Sequence, residues 1–370
     1  MKIYFATNRN VKKEDESHAE LGERFDPDGP QFFRVGVAEV VRKRGQEATE
    51  DDAFEIQTVR LYPERKPRSR AAPRARSGDL FEELRQQLRD EQRDVLVFLH
   101  GFSNTFENSI ARAAALQELY NHGGTLEPDP VVFVFAWPSN GRAFPATAYF
   151  SDRDDAKMSG IAMARALLAL LRFMASVHDD DRSLIREARE RDEIPNPAQL
   201  KRCQGRLHLL AHSMGNWALR HAVLRIKEEL GVTPLPRLFK NAFLVAADED
   251  ADALGKSEKL GLLFDLSQNV HVYHSIDDQA LQISDATKFN PDRLGADGPA
   301  NLTSLPPRVY AVDCSEVDET ILEHGRHQYY RIRTEFIEDI KHVFQGVGPE
   351  QIPHREAIIP GRSWRILRRD

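Results

Sequence analysis

Cysteine is nearly absent, with Cys203 and Cys314 the two thiols in 370 residues. A disulfide framework needs more, and neither thiol sits in a cluster with metal-ligand spacing, so a stapled secreted scaffold and a Cys-based metal site are both excluded. A reducing, cytoplasmic setting is the expectation. Long apolar runs are also missing. The opening Met-Lys-Ile-Tyr-Phe-Ala turns polar after six residues, which reads as a strand rather than a signal peptide. The most apolar stretch, Ile161 to Val177, is interrupted by Arg165 and Arg172 and is short for a bilayer crossing, so no membrane span is expected. A positive balance is lacking as well, since the formal net charge of −7 argues against a general nucleic-acid binder. The local exception is Arg60, Arg65, Lys66, Arg68, Arg70, Arg74 and Arg76, which prolines and alanines break into a solvated linker. No internal repeat is found.

What is present suffices for a large core. Hydrophobic residues make up 41% of the chain, enough to close one α/β domain without staples. Within a single domain spanning residues 1–370, three regions differ in pattern. Residues 1–90 carry strand-like runs at Ile3 to Ala6, Phe32 to Val41 and Phe54 to Leu61, separated by charged turns, which predict antiparallel strands. Asp79 followed by Glu82 resembles a capping box that starts a helix. Residues 94–345 alternate apolar runs with amphipathic helices. The strand candidates there are Val95 to Leu99, Val131 to Ala136, Leu207 to Leu210, Ala242 to Ala246, Val270 to His274 and Val309 to Val312. The helix candidates are Thr105 to Tyr120, Ala156 to Ser176, Gly215 to Glu229 and Tyr329 to Phe344. Near-continuous apolar strands joined by helices predict a mostly parallel sheet covered on both faces. A charged insertion at His178 to Lys201 extends a helix, and Asp248 to Gln268 reads as a short cap over the site. Residues 346–370 read as a C-terminal tail.

The segment Leu207 to Asn216 places Ser213 between an apolar strand and a helix. A serine hydroxyl is a poor nucleophile until it is exposed on a turn, deprotonated by a base and set beside oxyanion donors. A sharp strand-to-helix elbow supplies the turn and one donor together. Such an elbow needs small residues two before and two after the serine, and Ala211 and Gly215 stand there. Amides at the following helix N-terminus favour developing negative charge, which makes the Met214 N–H the first oxyanion candidate.

In an open α/β sheet, functional groups collect beyond the carboxyl ends of the strands. The strand ending at Leu99 delivers His100-Gly101-Phe102, and the flexible glycine lets the Phe102 N–H face the nucleophile as a second oxyanion donor. The strand ending at His274 delivers Asp277 and Asp278, and the loop after Val312 holds His324 and His327. Asp248 and Asp250 follow the preceding strand, where an acid is also serviceable. Serine, acid and histidine thus appear in the chain order used by α/β-hydrolases.

The chain resembles the α/β-hydrolase superfamily and, within it, the bacterial group catalogued as domain of unknown function 900. The stretches that carry the likeness are Ala6-Thr7-Asn8-Arg9, Val97 to Phe102, Ala136-Trp137-Pro138-Ser139, Ala211 to Asn216, Ala247-Asp248, Asp278 to Leu281 and His327-Gln328-Tyr329-Tyr330. Ala211 departs from the glycine of the stricter elbow. The resemblance implies Ser213, Asp278 and His327 as a triad, with His327 ahead of His324 as the base, while the strand ends leave Asp277, Asp248 and Asp250 as alternative acids. The resemblance implies no substrate; the residues themselves point to acyl transfer on a small-molecule ester, with lipase, thioesterase, peptidase or a non-catalytic binding scaffold as alternatives. No cofactor or metal is called for. His212 and His100 read as packing or bracing residues, Asp152, Asp154 and Asp155 as a solvated helix start, and Asn140 to Asp155 as a segment able to wall a substrate pocket.

Overall fold

The computed structural model describes residues 1–15, 18–62, 77–121, 129–141, 146–190, 205–282, 292–318 and 325–369. Cys203, His324 and most of the basic segment, residues 63–76, lie outside them.

The N-terminal region opens with β1 (Lys2–Thr7), then a hairpin of β2 (Arg9–Glu14) and β3 (Ala19–Phe25), then β4 (Arg34–Arg42) and β5 (Phe54–Tyr62). The hairpin gave no apolar alternation to read, because its strands pair with each other and bury mainly Val11, Ala19 and Leu21 against the rest. β1 does double duty. It runs antiparallel to β4, as expected of this region, and parallel to a strand of the core on its other side.

The core supplies β6 (Val95–Leu99), β7 (Val131–Phe135), β8 (Leu207–His212), β9 (Phe239–Val245), β10 (Ser267–His274) and β11 (Val309–Asp313). All five residues of β6 and of β7 are buried, which is why these strands read as unbroken apolar runs. Their side chains alternate between two cores. Val95, Val97 and Leu99 of β6 face one, and Leu96 and Phe98 face the other.

The first core lies under α1 (Ser77–Arg85), α3 (Ala146–Glu190) and α4 (Gly215–Leu230), and the second under α2 (Phe106–Leu119) and the helix Thr334–Phe344. The start of α2 follows simple chemistry, since the Thr105 side chain accepts from the Asn108 N–H at 3.1 Å. Asp79, in contrast, is inside α1 rather than its cap. The expected Tyr329 to Phe344 helix is broken at Arg333, whose extended backbone separates Tyr329–Ile332 from Thr334–Phe344.

Three further expectations change. α3 runs for 45 residues from Ala146 to Glu190, starting well before Ala156, and it continues past Ser176 as the helix extension expected from His178 onward. Its stretch Thr147–Val177 is long and apolar enough to cross a membrane by length and composition, but Ala162, Met163, Leu167, Leu168, Phe173 and Val177 are buried in the first core and α3 lies along α4. Residues 248–268 form a crossover rather than a cap, with Leu254, Leu260, Leu263 and Leu266 buried in that same core. The segment expected as a tail contains β12 (Arg355–Ile359) and β13 (Ser363–Ile366), and β13 adds to β11 in parallel. Arg355 fastens this edge by bonding the buried Asp339 carboxylate at 2.6 and 2.8 Å.

Among the described residues the main sheet has eleven strands in the order β12-β13-β11-β10-β9-β8-β6-β7-β1-β4-β5. From β13 to β1 every neighbouring pair is parallel. The carboxyl ends of β6, β8, β10 and β11 therefore open on one edge, where the turns carrying Ser213 and Asp278 lie.

Candidate active site

Ser213 occupies the turn between β8 and α4 with φ 54, in the left-handed region that a non-glycine residue enters at a cost of about 1–3 kcal/mol. Several bonds hold it there. Its N–H donates to the Val245 carbonyl at 3.0 Å, and its own carbonyl accepts from the Asn216 and Asp248 amides at 3.0 and 3.2 Å. The Asn216 side chain donates to the carbonyls of Ala211 and Ser213 at 2.9 and 3.1 Å, closing the turn from inside.

The glycines follow from close approach. A Cβ on Gly215 would sit 2.5 Å from the Leu99 carbonyl oxygen, so only glycine lets α4 start beneath the end of β6. A Cβ on Gly101 would sit 2.9 Å from Ser213 Cβ. This contact sets the loop after β6 against the Ser213 turn. Among the described residues neither the Phe102 nor the Met214 backbone N–H donates to a protein acceptor. Both amides remain available to an anion.

Asp278 and His327 meet directly. His327 Nδ1 lies 2.6 Å from Asp278 Oδ2, a length typical of a charge-assisted bond. The other oxygen, Oδ1, accepts the Leu281 amide at 3.0 Å, so the carboxylate also caps the helical residues that begin at Gln279. Asp278 is fully buried, whereas Ser213 and His327 keep 7% and 8% of their surface exposed. The His-Gln-Tyr-Tyr stretch fixes the histidine loop. Tyr329 Oη bonds the Ala246 amide and the Tyr273 carbonyl, both at 3.1 Å, and the Tyr330 carbonyl accepts from Tyr120 Oη at 2.8 Å.

His212 joins the His327 loop to the Ser213 turn. Its Nε2–H donates to the His327 carbonyl at 3.0 Å, and its ring packs against the rings of His327 and Tyr330. Burial, reinforced by the neighbouring His327, holds its pKa well below the ordinary 6.5, so the ring is neutral. His100 is likewise buried, stacks on Trp137 with ring centres 4.9 Å apart, and has its pKa lowered to about 3 by desolvation. Neither ring is suited to take up a second proton and act as the base.

The remaining aspartates go elsewhere. Asp277 is half-exposed, lies 3.7 Å from Arg326 and lines a polar cleft with His274, Asp313 and Arg365. The Asp248 carboxylate bonds Tyr149 Oη and lies 3.5 and 3.4 Å from Arg153 and Arg293. Asp250 bonds Lys259 Nζ at 2.7 Å. Among the described residues no group of three or more His, Cys, Asp or Glu side chains converges as a metal site would require.

Asp152 is the clearest departure from expectation. It is fully buried rather than solvated, because the N-terminal third of α3 crosses behind the loops that follow β6 and β7. Burial raises its pKa. Asp155, one turn on, rises to about 6 through desolvation and the charge of Asp152. Tyr149 from the same helix sets its ring edge-on to Phe102 at 5.6 Å, while residues 142–145 of the Asn140 to Asp155 segment lie outside the described residues. Arg9 is also fully buried and bonds four carbonyls, of Gly22, Asn104, Trp137 and Ser139. The available signal was its place in the Ala-Thr-Asn-Arg stretch, but nothing local to the sequence shows what a distant guanidinium will touch.

The parallel sheet, the serine elbow after β8 and the Asp-His pair beyond it define the α/β-hydrolase class. The chain matches the family described as alpha/beta hydrolase of unknown function over residues 77–179 and 194–336, and it belongs to that family. No curated protein matches it at a significant level.

Proposed function

We propose that the chain is a serine hydrolase that cleaves a carboxylic ester, or a related acyl bond, of a small molecule through a covalent acyl-enzyme. Ser213 attacks the carbonyl carbon while His327 takes its proton. Asp278 keeps the imidazole proton on Nδ1 and stabilises the imidazolium, and the Phe102 and Met214 amides hold the tetrahedral oxyanion. His327 then returns the proton to the leaving alcohol, and a water activated by the same histidine releases the acid.

The observation that carries this reading is the 2.6 Å bond between Asp278 and His327. It belongs to a loop whose His327 carbonyl is bonded by His212, the residue before the left-handed Ser213. The two amides without protein acceptors add support. In this mechanism the protein itself supplies nucleophile, base and electrophilic donors, so no cofactor takes part.

The test is labelling with a fluorophosphonate, followed by mass spectrometry of the modified peptide and turnover of p-nitrophenyl acetate. Label on Ser213, with label and turnover abolished in Ser213→Ala, is the expected result. A folded wild-type protein that takes no label on Ser213 refutes the proposal.

A further inference from the structure

We infer that Asp152 is a positioning residue for the oxyanion site, setting the Phe102 amide by tying the loop after β6 to the loop after β7. This rests on the serine-hydrolase reading. The carboxylate is fully buried on α3, and each hydrogen-bond contact it makes fits a donor. Oδ2 accepts from the Ser103 N–H at 3.2 Å and from Ser139 Oγ. Oδ1 accepts from the Asn140 backbone N–H at 3.1 Å and from Asn140 Nδ2 at 2.7 Å. Ser139 Oγ accepts in turn from the Asn104 N–H at 3.0 Å. One anion thus collects donors from both loops, and Ser103, the residue after Phe102, is held with φ 59.

Arg9 performs the converse task. Its guanidinium donates to the Asn104 carbonyl at 2.8 Å, the Trp137 carbonyl at 2.7 Å and the Ser139 carbonyl at 3.4 Å. Buried backbone carbonyls are satisfied by the cation and buried N–H groups by the anion, over the same two loops. The Asn104 side chain completes the frame by donating to the Gly101 and Phe102 carbonyls, both at 2.9 Å. The peptide that presents the Phe102 N–H is therefore fixed at its neighbours while the N–H itself stays free of a protein acceptor. Oxyanion donors act through preorganisation, so a loop free to drift loses transition-state binding before it loses substrate binding.

Asp152→Asn is the informative change, because it keeps the shape and turns one oxygen into a donor. In either amide orientation that donor faces a backbone N–H that cannot turn away, of Ser103 or of Asn140. Wild type and variant are compared for kcat and KM on p-nitrophenyl acetate, for the Ki of a phenylboronic acid that mimics the tetrahedral state, and for folding by circular dichroism. Expected are a kcat lower by about a hundredfold and a boronate Ki weaker in step, as for loss of an oxyanion donor, with KM within about twofold. Ser139→Ala removes one tether, should lower kcat about tenfold in the same pattern, and serves alone if Asp152→Asn does not fold. Unchanged kcat, or a loss confined to KM, overturns the inference. Fluorophosphonate labelling of wild-type Ser213 separates the two claims. A labelled wild type with an unaffected variant refutes the positioning role only, whereas an unlabelled folded wild type refutes the hydrolase reading beneath it.

Discussion

Replacing Asp278 by asparagine tests the acid assignment most sharply. The carboxylate offers Oδ2 to His327 Nδ1 at 2.6 Å and Oδ1 to the Leu281 amide at 3.0 Å. Asparagine keeps the second bond with its carbonyl oxygen and therefore points its NH₂ group at the imidazole. An Nδ1 that accepts a hydrogen bond leaves the ring proton on Nε2, which can no longer take the serine proton. The imidazolium formed during attack also loses its counter-charge. Two unit charges about 4 Å apart at an effective dielectric constant of about 20 interact by about 4 kcal/mol, or about a thousandfold in rate. With the wrong tautomer added, kcat falls about ten-thousandfold, as in other triads that lose the acid to its amide. The control is Asp248→Asn, whose carboxylate serves Tyr149, Arg153 and Arg293. It should lower kcat by less than about tenfold on the scale of a supporting contact. Steady-state hydrolysis of p-nitrophenyl acetate reads both. If Asp278→Asn stays within tenfold of wild type while Asp248→Asn loses three decades, the assignment is wrong and the acid is Asp248.

Two other outcomes concern stability. Gly215→Ala drives its Cβ to 2.5 Å from the Leu99 carbonyl and should destabilise by more than about 2 kcal/mol, whereas Gly231→Ala at the left-handed end of α4 meets nothing within 4 Å and should cost about 1 kcal/mol. Urea midpoints of the two variants, equal within error, would show that the approach of α4 to β6 is not tight. Glu249 is buried beside Arg220 at 3.4 Å, and burial raises its pKa from 4.5 to about 7. Between these values the folded state keeps a proton that the unfolded state releases, so stability falls as pH rises through that window, by about 3 kcal/mol. Glu249→Gln removes that share of the slope. Denaturation of both proteins at pH 5 and pH 8, showing parallel changes, would contradict a raised Glu249 pKa.

Much of the frame was legible in the sequence because parallel strands buried on both faces leave unbroken apolar runs, as β6 and β7 do. The hairpin β2–β3 and the edge strands β12 and β13 left no such signal, since their residues are largely exposed or paired locally. The N-terminal end of α3 was underestimated because its charged residues read as a solvated helix start, whereas Asp152 there is buried by the loops after β6 and β7.

The division at the site follows the same line. Local sequence determined the elbow, because small residues at Ala211 and Gly215 and a polar Asn216 are demands of one turn of chain. It also limited the acid to a few aspartates that follow strands. Only tertiary structure shows which of them meets a histidine, since strand order and loop path bring Asp278 to the His327 ring and send Asp277 towards Arg326. The clamp of Arg9 and Asp152 is likewise a tertiary fact. A buried charge declares its purpose through the partners that compensate its desolvation, and here those partners lie as far as 130 residues away in the chain.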